Sequence, residues 1–256
     1  MDDPLGNIRI VLVRPKFAGN IGAAARAMAN TGLHRLVLVA PQCDPLSAEA
    51  RKAGARAEPV LRSARIVRTL TDGLDGVVYA VGTSCRGGLY RRQMQVSPER
   101  LAEQAVSRAW HGVVAILFGS EDNGLANDEL LTCDAVFRIP SCDAYPSLNL
   151  AQAVMITGYE LFRAARRAQT RSEPAPPPPA PQADAATISR LMGKYRRALL
   201  KIGYLHSENP EHLLFPLRAV LSRAGMTVKE ARILMGMAQQ IEDFADRADR
   251  PDATDR

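Results

Sequence analysis

The sequence has few of the residues that build metal or disulfide sites. It has four histidines and four cysteines, and no two of the cysteines, Cys43, Cys85, Cys133 and Cys142, form a C-x-x-C pair. Zinc sites need closely spaced thiolate and imidazole ligands. We therefore expect no metal site, and buried free thiols are the simpler interpretation of the cysteines.

Long apolar runs and a basic leader are also missing. No apolar stretch approaches the roughly 18 residues that a membrane helix needs. The chain starts Met1-Asp2-Asp3, so acidic residues stand where a secretory signal peptide carries basic ones. We expect a cytoplasmic protein that does not enter the membrane.

Aromatic residues are scarce, whereas positive charge is concentrated in one region. Aromatics make up 5% of the chain, so recognition of a nucleic acid by shape and backbone is favoured over recognition by base stacking. The net charge is 33 − 27 = +6, and it is densest over residues 184–232. Such a block is typical of a surface that binds a polyanion, although a solvated helix face has the same composition.

A proline-rich segment divides the chain. Six prolines fall between residues 174 and 181, and such a run favours extended polyproline II, which acts as a semi-rigid spacer. We predict a first domain over residues 1–170, a linker over 171–183 and a second domain over 184–250.

The first domain alternates strand and helix patterns. We predict strands at 8–13, 36–40, 77–81, 113–118 and 136–139, and helices at 20–30, 45–54, 62–71, 98–108, 128–132 and 147–167. The strands are predominantly apolar, which is typical of parallel strands covered by helices on both faces. The predicted class is therefore α/β with a parallel sheet.

The second domain has only helical patterns. Residues 186–202, 210–223 and 228–247 have apolar residues at helical spacing, which predicts a small all-α domain. The first of these helices has a basic face, suited to phosphate contact, formed by Arg190, Lys194, Arg196, Arg197 and Lys201.

Polar loops follow four of the predicted strands, at 14–26, 82–88, 119–124 and 140–149. Ligands of open parallel sheets bind outside the carboxyl ends of the strands, so we expect a site where these loops meet. The glycine-rich motifs that cradle phosphates, G-x-x-x-x-G-K-[S/T] and G-x-G-x-x-G, are missing from the sequence.

Three segments resemble, in order, the sequence blocks of the SPOUT-class RNA ribose methyltransferases: 20–28 (NIGAAARAM), 118–125 (FGSEDNGL) and 139–153 (IP…YPSLNLAQA). Residues 82–86 (GTSCR) resemble a further loop of the TrmJ branch, as do 200–204 and 230–234 in the C-terminal helices. The sequence departs from the family in its long proline-rich linker and in Cys85, where alanine is common.

The resemblance implies a fold and an activity that composition does not show. The last strand and helix of the first domain would be threaded into a trefoil knot, and the chain would form a homodimer. The cofactor would be S-adenosylmethionine, which has a sulfonium and no phosphate, in keeping with the missing cradles. The branch methylates the ribose 2′-hydroxyl of nucleotide 32, a cytidine or uridine, in the anticodon loop of tRNA.

The resemblance also assigns roles to residues. The catalytic residues would be Arg26 and Ser147. The cofactor would be bound by Thr83, Ser84, Cys85, Gly119, Glu121, Gly124, Ile139, Ser147, Leu148 and Asn149. The tRNA would contact Arg14, Lys16, Arg86, Arg91, Arg92, Lys194, Arg196, Arg197 and Lys201.

Other functions stay open at this point. A non-catalytic RNA-binding protein of the same fold would be expected to have lost Arg26, Gly119 or residues 147–149, and this sequence keeps them. A different α/β enzyme that uses a nucleotide is disfavoured by the missing phosphate motifs. The main alternative is a related enzyme that methylates another tRNA position or rRNA.

Overall fold

The computed structural model describes residues 3–84, 97–170, 181–206, 208 and 210–248. Four of the predicted site residues, Cys85, Arg86, Arg91 and Arg92, lie outside the described residues, as does most of the predicted linker. By contact density the chain divides into two compact units, Met1–Pro179 and Ala180–Arg256.

The first unit alternates strands and helices along the chain. Its elements are β1 (Ile8–Val13), α1 (Ala18–Asn30), β2 (Arg35–Val39), α2 (Ala48–Gly54), α3 (Glu58–Arg62), β3 (Arg65–Val67), α4 (Leu70–Gly73), β4 (Val77–Thr83), α5 (Pro98–Ala109), β5 (Val113–Phe118), α6 (Asn127–Leu131), β6 (Ala135–Phe137) and α7 (Leu150–Thr170). Two short 3₁₀ helices, Pro4–Asn7 and Ala55–Ala57, complete it.

The six strands form one sheet in the order β3-β2-β1-β5-β4-β6, and every neighbouring pair is parallel. This confirms the predicted α/β class with a parallel sheet. The trefoil knot that the resemblance implies stays a prediction.

The predicted helix at 62–71 is wrong, because this stretch contains β3 and the start of α4. β3 is a three-residue strand at the edge of the sheet, and Ile66, its central residue, is exposed. A strand this short has no recognisable alternation of apolar and polar residues in the sequence. It is stabilised by its main-chain hydrogen bonds to β2.

The core surrounds the central strands. In β1, Ile8, Ile10 and Leu12 face one side of the sheet and are fully buried, and Val11 and Val13 are equally buried on the other side. Burying a branched apolar side chain contributes about 1.5–3 kcal/mol, so both helix layers hold this strand in place. The strand in turn fixes the position of the loop that follows it.

Small residues let α1 pack closely against two other helices. A Cβ added at Gly22 would lie 2.0 Å from the carbonyl oxygen of Ala50 in α2, and one at Gly158 in α7 would lie 2.6 Å from Oγ1 of Thr31. Only glycine permits these approaches. Packing against α2 and α7 therefore fixes the position of α1, whose first turn reaches the candidate site.

The start of α7 differs from the prediction. The helix begins at Leu150 rather than at Ser147, and the side chain of Asn149 caps it by accepting a hydrogen bond from the amide of Ala151 at 2.9 Å. Residues 138–149 therefore form a longer loop than the sequence pattern indicates, and Ser147 belongs to that loop.

The second unit contains three helices, α8 (Ala185–Lys201), α9 (Glu211–Ala224) and α10 (Val228–Ala248), as predicted. Its core is formed by Ile188, Leu191, Leu205, Leu214, Met226 and Ala231. Main-chain bonds join Ala183 to Met226 and Val228 to Pro181, so the last residues of the predicted linker pack within this unit. None of the helices within the described ranges is long and apolar enough to cross a membrane.

Candidate active site

The candidate site lies at the carboxyl edge of the sheet. β1 and β5 are neighbours, but the chain leads from β1 to β2 on one side and from β5 to β6, beyond β4, on the other. Such a reversal of strand order opens a crevice in which ligands bind. The loops after β1, β4, β5 and β6 line two adjoining cavities there.

The narrow cavity has a volume of about 290 Å³ and is bounded by the segments after β4, β5 and β6. Most of the predicted cofactor residues line it together: Thr83, Ser84, Gly119, Glu121, Gly124, Ile139, Ser147 and Leu148. Its volume is near the lower end of the range typical of small-molecule sites. Apolar walls from Ile139 and Leu148 alternate with backbone and hydroxyl groups.

The wide cavity has a volume of about 750 Å³ and lies beside the narrow one. It is lined by Phe17, Gly19, Asn20, Glu49, Glu121, Ala144, Tyr145, Pro146, Ser147, Leu148, Asn149 and Leu150. Asn149, predicted as a cofactor residue, lines this cavity. Glu121, Ser147 and Leu148 line both cavities, so the two share a wall.

The carboxylate of Glu121 joins the loop after β5 to the start of α1. It accepts hydrogen bonds from the amides of Lys16 at 2.9 Å and Phe17 at 3.3 Å, and from Nδ2 of Asn20 at 2.9 Å. A carboxylate at a helix amino terminus is stabilised by the unpaired amides and the helix dipole. Glu121 therefore orients the first turn of α1 against the cavities.

Asn20 extends this connection to the loop before α7. Its Oδ1 accepts a hydrogen bond from Nδ2 of Asn149 at 2.9 Å, while its own Nδ2 donates to Glu121. The side chains of Glu121, Asn20 and Asn149 thus form a chain of hydrogen bonds across segments that are distant in sequence. We name this chain of three residues the Glu121 network.

Gly119 is required by the tight fold of its loop. The amide of Gly124 donates to the carbonyl of Ser120 at 2.8 Å, and a Cβ added at Gly119 would lie 1.9 Å from the carbonyl carbon of Gly124. Gly124 has φ of +66°, which favours glycine. The loop therefore closes on itself and presents backbone groups to the narrow cavity.

Thr83 and Ser84 are fixed by the strands on either side of β4. The hydroxyl of Thr83 donates to the carbonyl of Leu117 at 3.0 Å, and the amide of Ser84 donates to the carbonyl of Phe137 at 3.1 Å. The wall after β4 is therefore held between β5 and β6.

Two predicted RNA-contacting cations are paired within the chain. Arg14 forms a bidentate ion pair with Glu129, with Nη2 3.0 Å from Oε2, and Lys16 pairs with Asp122. The hydrogen bond to Glu129 raises the pKa of Arg14 above its ordinary value, which outweighs the effect of partial burial. Because Glu129 is buried, its pair with Arg14 holds α6 close to the loop after β1.

Arg26 lies apart from both cavities of its own chain. Its side chain is exposed on α1, and within the described ranges it donates no hydrogen bond and forms no ion pair. The other predicted catalytic residue, Ser147, is exposed in the wall that the two cavities share. The structure thus does not bring the two residues together in one cavity.

The predicted basic face of α8 is matched by acceptors on α9 and α10. Arg196 pairs with Glu211, Arg197 pairs with Glu242, Lys201 pairs with Asp246, and Lys194 donates to Gln239. Exposed pairs of this kind are each worth only about 0–1 kcal/mol. The cations are therefore available to a stronger anion.

Several lining residues were given no role from the sequence, among them Phe17, Asn20, Glu49 and Tyr145. Asn20 and Tyr145 fall within the blocks that carry the family resemblance, and Phe17 lies in the loop after β1. Those blocks and that loop were the available signal, whereas Glu49, on α2, had none. Among the described residues no group of three or more histidine, cysteine or acidic side chains is arranged to hold a metal ion.

Comparison with known proteins gives two family matches that together span most of the chain. Residues 7–159 match the SpoU rRNA Methylase family, and residues 186–253 match the C-terminal domain of the tRNA methyltransferase TrmJ.

Individual relatives match over nearly their full length. A tRNA (cytidine/uridine-2'-O-)-methyltransferase TrmJ from Cronobacter sakazakii is 39% identical over 93% of this chain and 97% of its own. A tRNA (cytidine/uridine/adenosine-2'-O-)-methyltransferase TrmJ from Pseudomonas aeruginosa is 36% identical over 94% of this chain and 96% of its own. The crystal structure of TrmJ from Z. mobilis ZM4 superposes with a TM-score of 0.72 at 30% identity, covering 91% of this chain and 98% of that one. The chain belongs to the SpoU methylase family, in the branch of the TrmJ methyltransferases.

Proposed function

We propose that this chain is a tRNA methyltransferase that uses S-adenosylmethionine to methylate the ribose 2′-hydroxyl of nucleotide 32, a cytidine or uridine in the anticodon loop. The relatives at 36–39% identity are named as tRNA 2′-O-methyltransferases. The observation that supports this proposal most strongly is geometric. The segments after β4, β5 and β6 line one narrow cavity, and one wall of that cavity also borders the wide cavity.

The lining of the narrow cavity suits the chemistry of the cofactor. Its wall contains the closed Gly119–Gly124 loop, where a single added Cβ would meet backbone, and apolar side chains at Ile139 and Leu148. When bound, S-adenosylmethionine supplies the methyl group that is transferred. The residues that would hold it are Thr83, Ser84, Cys85, Gly119, Glu121, Gly124, Ile139, Ser147, Leu148 and Asn149.

Within this set Glu121 acts mainly by orientation. Both of its carboxylate oxygens are already engaged by α1 and Asn20, so the side chain holds the loop after β5 in place. Its negative charge stays at the edge of the cavity, where it favours a cationic ligand.

Arg26 would act on the RNA. A guanidinium is always charged at neutral pH. Because Arg26 lies outside both cavities of its own chain, it would act at the site of the second copy in the homodimer, where it grips the phosphate next to the target nucleotide and stabilises the negative charge that develops on the 2′-oxygen. The proton of the hydroxyl leaves to that phosphate or to water. Ser147, in the shared wall, holds the ribose, and correct placement of the reacting groups supplies much of the remaining rate.

The RNA would be bound by cations of both units: Arg14, Lys16, Arg86, Arg91, Arg92, Lys194, Arg196, Arg197 and Lys201. Phosphates displace carboxylates from exposed pairs such as Arg196 with Glu211 because several phosphates bind at once and release counterions. As a tRNA-modifying enzyme the protein would work in the cytoplasm, as a homodimer.

The proposal is tested by transfer of labelled methyl from S-adenosylmethionine to unmodified tRNA, with nuclease mapping of the product. Wild type should label the ribose of nucleotide 32. Arg26→Ala should lower kcat about 100-fold or more while it still binds the cofactor. Arg35→Ala is the matched control, since Arg35 is exposed at the amino end of β2, whereas the cavities lie at the carboxyl ends of the strands.

The outcomes separate the alternatives. Label at another tRNA nucleotide, or in rRNA and not in tRNA, would keep the methyltransferase class and overturn nucleotide 32. Failure of the wild type to bind S-adenosylmethionine would overturn the whole proposal.

A further inference from the structure

Two exposed aromatic side chains lie on the rim of the wide cavity. Tyr145 is 81% exposed and Phe17 is 54% exposed, although large aromatics are usually mostly buried. Both line the same cavity, where Pro146 extends the apolar rim. An exposed apolar patch that borders a cavity is typical of a binding surface.

The charge of the wide cavity disfavours a phosphate as its occupant. The carboxylates of Glu49 and Glu121 both line it, and two negative charges repel an anion. A neutral group with a flat face is compatible with carboxylates on one wall and aromatic rings on the rim. A nucleobase is such a group.

The polar side chains inside the wide cavity are already engaged with one another. Both ends of the Asn20 amide are used, by Glu121 and by Asn149, and Oδ1 of Asn149 caps α7. Few groups therefore remain to read the edge of a base. The aromatic rings can bind the face of any base.

The shared wall determines how a nucleotide would span the two cavities. Ser147 and Leu148 face both the narrow cavity, where we place the methyl donor, and the wide one. A ribose at this wall would direct its 2′-hydroxyl toward the narrow cavity and its base into the wide one. Bases in single-stranded RNA loops can be splayed out of the stack and bound on aromatic side chains.

We propose that the wide cavity receives the base of the target nucleotide, turned out of the RNA stack, and that the rings of Tyr145 and Phe17 stack on it. This inference rests on the proposed function and adds the site that takes the base. Aromatic residues are scarce in the sequence, which favours recognition by shape and backbone, but two rings suffice when both lie on the rim of one cavity.

The first test compares steady-state kinetics of full-length variants with tRNA. Tyr145→Ala should lower kcat/KM for tRNA about 10-fold or more, since one base–ring stack is worth that much, and equally for cytidine and uridine at the target position. Tyr145→Phe keeps the ring and should stay within about 3-fold of wild type. Trp110→Ala removes an aromatic that is 45% exposed at the end of α5, outside both cavities, and should have no effect.

The second test locates the base directly. A tRNA with 4-thiouridine at the nucleotide that the wild type methylates is irradiated in complex with the protein, and the cross-linked peptide is identified. We expect the peptide with Tyr145 or the one with Phe17. Cross-links confined to other peptides would overturn the site.

The tests distinguish this inference from the proposed function. If wild type transfers no methyl to tRNA, the proposed function fails. If wild type is active and Tyr145→Ala keeps wild-type kcat/KM, the base site fails alone. A loss of S-adenosylmethionine affinity in Tyr145→Ala equal to its loss of kcat/KM would also overturn the base site, because the ring would then serve the cofactor.

Discussion

At the scale of single residues, one carboxylate organises much of the site. Glu121 accepts three hydrogen bonds from the start of α1 across the gap between the two halves of the sheet. Because these donors are the amides of Lys16 and Phe17 and the side chain of Asn20, the loop after β5 and the first turn of α1 keep a fixed relation. The chain's own side chains thereby hold the two cavities next to each other.

Glu121→Ala should therefore destabilise the protein. The substitution leaves two amides and the Asn20 side chain without their acceptor, and each unsatisfied group costs about 1–3 kcal/mol when water cannot replace the bond. We expect the unfolding free energy to fall by about 1–3 kcal/mol, together with a loss of methyl transfer. Denaturant unfolding of the full chain measures the first effect.

The matched control for Glu121 is its neighbour Asp122, which is exposed and pairs with Lys16 at the surface. Asp122→Ala should change the unfolding free energy by about 0.5 kcal/mol or less. Equal losses in the two variants would contradict the role assigned to the Glu121 network.

Gly119→Ala should open the loop that bounds the narrow cavity. The new Cβ would lie 1.9 Å from the carbonyl carbon of Gly124 and 2.1 Å from the amide nitrogen of Leu125, so backbone must move at a cost of about 1–3 kcal/mol. Titration calorimetry should show S-adenosylmethionine affinity falling about 10-fold or more. Gly6→Ala is the control, because its Cβ would meet only His34 at 3.9 Å, and it should bind S-adenosylmethionine as tightly as wild type does. An equal loss of S-adenosylmethionine affinity in both variants would contradict the role of Gly119.

At the scale of elements, the sequence predicted the inner strands best. The bounds of β1 and β5 agree with the prediction because both strands lie in the middle of the sheet and, apart from Arg9, contain only aliphatic and aromatic residues. β3 was missed because it lies at the edge, has three residues and begins with Arg65. Its existence depends on pairing with β2, which the local sequence does not encode.

The loops that form the site were predictable from the sequence, but the hydrogen bonds and ion pairs between them were not. The loops after four strands were expected to meet because parallel strands end at one edge, and residues of all four line the cavities. The bond from Lys16 to Glu121 joins residues 105 apart, and no sequence pattern specifies it. The ion pairs between cations of α8 and carboxylates of α10 likewise result from the packing of the two helices.

The amino terminus of α8 offers a prediction with a defined pH dependence. Asp184 caps the helix by accepting from the amide of Thr187 at 2.8 Å. Burial alone would raise the pKa of Asp184, but the hydrogen bonds from Thr187 and the nearby charge of Arg190 lower it overall. Since the folded pKa is the lower one, this stabilisation is present above the unfolded pKa of about 3.9 and is lost as the pH falls through the folded value.

Asp184→Ala should therefore reduce protection of the α8 amides by about 0.5–2 kcal/mol at pH 7, measured by hydrogen exchange of the full chain. The difference from wild type should shrink below about pH 4. Asp184→Asn keeps a capping side chain and should protect α8 at pH 7 without the acid-dependent loss. If the α8 amides of Asp184→Ala are protected as strongly at pH 7 as those of wild type, the assignment of the cap is contradicted.

At the scale of the whole molecule, α7 has apolar side chains that the described part of the chain leaves exposed. Met155, Ile156 and Tyr159 are each about 36–49% exposed on this helix. The homodimer that we propose would bury these side chains against a second copy.

Ile156→Asp should convert the dimer to monomers at micromolar concentration and lower methyl transfer, because a carboxylate in an apolar interface is costly to desolvate. Light scattering after size exclusion measures the mass. Ile66→Asp is the control, since Ile66 is 57% exposed on the edge strand β3, and it should stay dimeric. A monomeric wild type, or a dimeric Ile156→Asp, would contradict the proposed interface.

The most direct test of the whole account uses the chemistry of the product. A 2′-O-methyl group blocks alkaline cleavage of the phosphodiester bond that follows it, so unmodified tRNA treated with the full-length protein and S-adenosylmethionine is hydrolysed and resolved into a ladder. The account predicts one missing band, at the bond after nucleotide 32, which stays present when S-adenosylmethionine is omitted. A complete ladder from a protein that binds both the cofactor and tRNA would contradict it.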